Sequence, residues 1–179
     1  RANAHVKYPC KFLLIAAANP CKCGYLPDPA RACARVPACG EDYLGRISGP
    51  LMDRFDLRVE VPPVAFTDLD LPETGESSAD VASRVDQARR AQSARFADHP
   101  AARVNADMEG HLLDEMARPD DEGRALLVKV AERFGLSARG YHRVLRVART
   151  IADLEGAQDV RKPHIAEAVS YRLAMAKEV

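Results

Sequence analysis

The chain has 179 residues, enough for one core of ordinary size or two small ones, with 47% apolar and 29% charged residues as in water-soluble globular proteins. Twenty-six basic side chains balance twenty-six acidic ones, so net charge favours neither a nucleic-acid binder nor an acid-rich protein. No apolar run approaches the ~20 residues that cross a bilayer, and no charged-then-apolar leader opens the chain, so neither membrane insertion nor secretion is indicated.

The first stretch, RANAHVKYPCKF (1–12), alternates polar and apolar residues and starts without methionine. It reads as one arm of a hairpin, or as an edge strand with its charges in water, inside a longer polypeptide. FLLIAAA (12–18) is a continuous apolar run, as expected of a parallel strand buried on both faces. It ends at Asn19-Pro20, and four of the five cysteines follow within residues 20–40, a loop by its Pro, Gly and Cys content. A short helix is expected between Glu41 and Arg54, tempered by Pro50, which a helix tolerates only in its first turn. FDLRVEVPP (55–63) alternates with period two and reads as a second strand stopped by Pro62-Pro63.

Residues 67–79, TDLDLPETGESSA, are acidic and turn-rich, a linker composition and the expected domain boundary. Everything beyond reads as helix. Residues 80–97 start on Asp80, a possible cap, and 108–117 form a short second helix. Residues 119–135 carry acids in the first turn and a glycine after the end. Ser137 is an N-cap for the next helix, which places Tyr141, Val144, Leu145, Ala148, Ile151 and Ala152 on one face and runs to about Glu155. KPHIAEAVSYRLAMA supplies the last helix. The expected fold is therefore an α/β remnant over 1–66 and an all-α unit over 80–179, mostly α overall. Two strands cannot make a sheet with helices on both faces, so the missing strands are expected upstream.

Three blocks, AAANPCKCGY, RISGPLMDRFDLRVEVP and LSARGYHRVLRVARTIADLEG, stand in an order and spacing that resembles the magnesium-chelatase-like AAA+ ATPases. The likeness is greatest to the YifB/ComM branch, associated with DNA processing in natural transformation. It covers nearly the whole chain and is weakest in the linker and the helix after it. It implies the last strands of a P-loop ATPase core followed by a helical lid, in a cytoplasmic protein that forms hexameric rings with itself and acts on DNA. Neither a GxxxxGK[ST] loop nor an apolar run ending in Asp-Glu occurs here. The ATP and Mg²⁺ sites are thus expected to be completed by upstream residues, and this piece alone is not expected to hydrolyse ATP.

Asn19 ends a strand at the edge where open α/β sheets bind ligands. A neutral amide there can hydrogen-bond a γ-phosphate or orient water without adding negative charge. The resemblance implies the sensor 1 role, against the plain alternative that Asn-Pro starts a turn. Arg54, in GPLMDRFD, matches the family's arginine finger, reaching the neighbouring subunit's nucleotide; Arg46 is the second candidate. A permanently charged planar guanidinium suits the charge that phosphoryl transfer spreads over its oxygens. The alternative is a surface salt bridge from Arg54 to Asp53 or Asp56. Arg139, in the first turn of its helix, opposes the helix dipole unless an anion binds between them. It matches the sensor 2 arginine, with pairing to Glu132 as the alternative.

Cys21, Cys23, Cys33 and Cys39 form CxC, nine residues, C, five residues, C. Four thiolates can complete a tetrahedral structural Zn²⁺ site. Relatives usually carry a second CxC, but Arg35 stands where its second cysteine would fall, which leaves the fourth ligand open between Cys39 and His5. Disulfides and plain buried thiols are the rivals, the first disfavoured in a reducing compartment. Cys10 reads as a buried thiol. Five arginines and no acid lie between Glu132 and Asp153. Arg139, Arg143 and Arg146 share a face that either neutralises DNA phosphates or packs on acids elsewhere. Lys7, with His5 and Arg1, is a further candidate DNA contact on the hairpin arm. Two other functions remain open: the ATPase motor subunit of a metal chelatase, and a non-enzymatic zinc-binding helical interaction module.

Overall fold

A computed structural model describes residues 6, 8, 12–64, 66–68 and 75–173. The chain divides into two compact units, Arg1–Gly49 and Pro50–Val179. The secondary structure of the described residues is mostly helical: seven α-helices, two short 3₁₀ turns, and a single isolated parallel bridge between Pro119 and Val160.

In the first unit, residues 12–18 have no regular secondary structure and are exposed, Leu13 by 85% and Ile15 by 84%. The buried strand expected there is not formed among the described residues, and neither is the one expected over 55–63. The α/β part of the expected fold is therefore not confirmed. The physical reason is that a strand exists through its ladder and the layers that cover it, and the described residues supply neither. The loop over 20–37 runs through successive turns into α1, Ala38–Leu44. The helix expected between Glu41 and Arg54 is two: α1 ends at Gly45, and α2, Gly49–Met52, opens with Pro50 in its first turn, the position proline tolerates.

The second unit is a helical bundle. Its α3 spans Ser78–Arg95. Ser77, not Asp80, caps it: Ser77 Oγ accepts from the Asp80 amide at 3.1 Å, and Asp80 sits in the first turn, where its charge suits the helix's positive end. The first ten residues of α3 are exposed, and only Ala88 and Gln92 are buried. The short α4, Gly110–Met116, precedes α5, Asp121–Phe134, which Asp120 caps and Gly135 terminates. Helix α6, Ala138–Leu154, is central; it packs on α3, α4 and α7, Lys162–Leu173, while α7 also packs on α5. The face expected from periodicity is the one α6 buries, with Val144, Leu145, Ala148, Ile151 and Ala152 buried and Tyr141 half-buried against the core. Met108, Leu113, Leu127, Val144, Val160 and Ile165 are almost wholly buried; each large apolar side chain so placed contributes about 1.5–3 kcal/mol.

Candidate functional site

The cysteine loop folds into a thiol cluster within the first unit. Cys21 is fully buried, Cys39 nearly so, and Cys23 lies at the surface. The sulfurs of Cys21, Cys23 and Cys39 all lie within 4.8 Å of one another, with Cys21 and Cys23 at 3.1 Å. Cys33, half-buried, lies near enough to influence Cys23 and Cys39 electrostatically but is not one of the three clustered sulfurs. A tetrahedral zinc with Zn–S near 2.3 Å needs sulfurs about 3.8 Å apart, so these three sulfurs fit the ion in type and spacing, and Cys33 is the candidate fourth ligand. Arg35 is exposed and pairs with Asp42, while its carbonyl accepts from the Cys39 amide at 3.0 Å. The register is thus turned so that α1 delivers Cys39 to the cluster in place of residue 35. Packing closes the loop as well: a Cβ on Gly40 would stand 2.8 Å from Leu26 Cδ2 and 3.3 Å from the Pro20 carbonyl oxygen, so a larger residue there would displace Leu26 and crowd that carbonyl.

Hydrogen bonds, first from Cys21 and then from the Tyr25 backbone, bring Cys23 down to about 7. Burial, followed by the neighbouring thiols, pushes Cys39 up to about 12. One sulfur of the cluster is thus eased toward thiolate by hydrogen bonds while another is held protonated, chiefly by burial. All four cysteines are free thiols in this structure. His5, Cys10, Lys7 and Arg1 lie outside the described residues. Asn19 is exposed at the end of the apolar run, directly before the bend at Pro20.

The second unit holds the two principal arginines. Arg54 is exposed, and its Nη1 donates to the Pro50 carbonyl at 3.0 Å. The expected alternative, a salt bridge to Asp53 or Asp56, does not form among the described residues because both acids are engaged elsewhere. Asp53 accepts from Ser137 Oγ at 2.7 Å and from the Arg172 guanidinium; Asp56 pairs with Arg143. Arg139 is exposed in the first turn of α6, and no carboxylate, Glu132 included, pairs with it among the described residues. Two cations therefore stand at the surface while the acids beside them are satisfied from within. Arg46, in the first unit, is also exposed, just past the end of α1.

The arginine stripe is not presented to solvent as one face. Arg143 is only 18% exposed and bound to Asp56, and Arg146 donates from Nε to the Met108 carbonyl at 2.8 Å. Arg149 is buried, with Nη1 on the Gln158 carbonyl and Nη2 on that of Ala157, both at 2.6 Å. Packing accounts for these three, and the role of Arg143 and Arg146 as open phosphate contacts loses its geometric basis here. Sequence reasoning missed Arg172. Its side chain is 5% exposed, and it donates from Nη1 to the Phe55 carbonyl at 2.7 Å and from Nη2 to both the carbonyl and carboxylate of Asp53. Burial pulls its pKa below the ordinary arginine value. One signal was available: Gly140, inside a strong helix directly after Arg139, marks a place where something approaches the backbone.

The sequence model of the family described as magnesium chelatase, subunit ChlI C-terminal, matches residues 75–172, and that of magnesium chelatase, subunit ChlI, matches residues 1–69. The class is that of the magnesium-chelatase-like AAA+ proteins. Among curated proteins, competence protein ComM of Haemophilus influenzae is 39% identical over 173 residues, covering 96% of this chain and 33% of its own length. YifB of Escherichia coli, an uncharacterized protein, is 37% identical over 175 residues, again 96% of this chain and 33% of the relative. An uncharacterized Mycobacterium tuberculosis protein is 40% identical over 168 residues, 92% of this chain and 32% of its own. The chain belongs to the magnesium-chelatase-like family, in its YifB/ComM branch. It spans about a third of the length of the curated relatives it matches. No helix among the described residues is long and apolar enough to cross a membrane.

Proposed function

We propose that this chain is the C-terminal part of a ring-forming AAA+ ATPase that couples ATP hydrolysis to DNA processing, such as branch migration or translocation. The observation that carries the reading is the pair of exposed arginines, Arg54 and Arg139, free of carboxylate partners among the described residues and set beside acids that are already satisfied. A guanidinium held ready in this way is an anion receptor, and a nucleotide phosphate at a subunit interface is the anion the family offers. Arg54 acts as the finger on the adjacent subunit's nucleotide. Arg139 and Asn19 act in their own subunit, as sensor 2 and sensor 1. The phosphate loop and the Mg²⁺ carboxylates come from residues outside this chain. The residues at 67–79 link the ATPase core to the lid. The cysteine cluster holds a structural Zn²⁺ that staples the loop behind Asn19, with no open coordination position and hence no catalytic part.

DNA as the substrate rests on the name of the Haemophilus influenzae relative, a competence protein. The test is ATP turnover by the full-length polypeptide with and without branched DNA. Stimulation by DNA is expected, and Arg54→Ala is expected to lower turnover by about 10³-fold or more with modest loss of ATP binding. Turnover unchanged in Arg54→Ala removes the finger assignment. Turnover indifferent to DNA moves the reading to the motor of a metal chelatase, the activity for which the matching family is described.

A further inference from the structure

Arg172 lies at the far end of the chain from the two exposed arginines, yet it touches what positions both. We infer that Arg172 is a positioning residue that locks the Arg54 segment to the start of α6, so that Arg54 and Arg139 are aimed as one unit. The inference rests on the proposed roles of those two arginines and goes beyond them. Arg54 is flanked by Asp53 and Phe55. The Arg172 guanidinium binds the carboxylate and carbonyl of Asp53 and, at 2.7 Å, the carbonyl of Phe55. The backbone of Arg54 is therefore held on both sides by one buried side chain.

Arg139 is flanked in turn by Ala138, next to the Ser137 cap, and Gly140. Ser137 Oγ donates to the same Asp53 carboxylate at 2.7 Å while accepting the Gly140 amide at 3.0 Å. A Cβ on Gly140 would stand 3.3 Å from Arg172 Nη2 and 3.4 Å from Ser137 Oγ. Gly140 stands in the first turn of α6, and its lack of a Cβ leaves room for the Arg172 guanidinium. Two outer ties brace the same segment: the Arg58 amide donates to the Tyr171 carbonyl at 3.0 Å, and Arg143 pairs with Asp56. Only a guanidinium can serve here, because its planar fork reaches two carbonyls and a carboxylate at once and an ammonium cannot.

The lock makes a prediction that simple structural support does not. Displacing a reacting group by about 1 Å can cost ~10²-fold in rate, so loss of Arg172 should act through Arg54 and Arg139 and weigh less when Arg54 is absent. The experiment is ATP turnover and ATP binding by the full-length assembled protein carrying Arg172→Leu, Arg172→Lys, Arg54→Ala, and Arg54→Ala combined with each Arg172 change. Expected are a drop of about tenfold to a hundredfold in turnover for Arg172→Leu and a smaller drop for Arg172→Lys. In the Arg54→Ala background the further loss from each should be smaller than in the parent. Should Arg172→Leu fail to fold, Arg172→Lys carries the test. The inference is overturned if the Arg172 variants turn over ATP at the parent rate, or if their losses multiply undiminished onto that of Arg54→Ala. Normal turnover by Arg54→Ala itself would overturn the finger reading first and the lock with it, an outcome distinct from normal turnover in the Arg172 variants alone.

Discussion

Asp153, at the end of α6, is 4% exposed and accepts hydrogen bonds from Arg95, Asn105 and Arg149. Burial raises its pKa, but the donors from Arg95 and Asn105 and the charges of Arg149 and Arg95 outweigh burial and hold it below the ordinary carboxylate value. Because the folded value is the depressed one, the stabilisation is full above the unfolded pKa of about 3.9 and is lost as pH falls through the lower folded value. Asp153→Asn should therefore destabilise the protein at neutral pH by about 3 kcal/mol, since two part-buried guanidiniums lose their anion. The difference from the parent should shrink as pH falls below about 4; urea midpoints measured across that range check the sign. None of this was legible in the sequence, where Arg149 read as one more basic residue in a stripe. Spacing puts a residue on a helix face, but only the packing of α3 and of residues 157–158 shows whether that face meets water.

Helices and strands differed in how far the sequence foretold them, for one reason. A helix closes its own hydrogen bonds and announces its ends, so Ser137, the acids of 120–122 and Gly135 placed α5 and α6 almost to the residue. A strand borrows its partners from elsewhere, and FLLIAAA and FDLRVEV carry the pattern without the ladder among the described residues. The site divides along the same line. Arg54 and Arg139 were singled out from motif and position, while the Asp53–Arg172 link was not, since it spans more than a hundred residues. Ser137 shows the join between local and long-range control: it caps α6 and also binds Asp53. Ser137→Ala should cost about 1 kcal/mol as a lost cap. Leaving the Asp53 carboxylate short of a donor should add to this, so the measured loss of unfolding free energy should exceed that of Ser77→Ala at the start of the mostly exposed α3.

At the scale of the whole chain, the two units are stabilised by different means. The apolar core comes from residues 96–169, all in the second unit. Of the described residues in the first unit, only Cys21, Cys39 and Gly40 are buried, too few to hold a loop of this length by apolar burial alone. A metal supplies in one site what such a small core cannot, through binding free energy that becomes folding free energy. The reduced, purified chain is therefore expected to carry about one zinc per molecule, measured by metal analysis. Stripping it with a chelator should open residues 20–40 to trypsin at Lys22, Arg31 and Arg35 while leaving the thermal midpoint of the helical unit unchanged. Recovery of resistance on adding back Zn²⁺ would tie the effect to the cluster. A metal-free protein with four freely titrating thiols would mean that the turns and Gly40 packing hold this loop unaided, and that Asn19 needs no staple behind it.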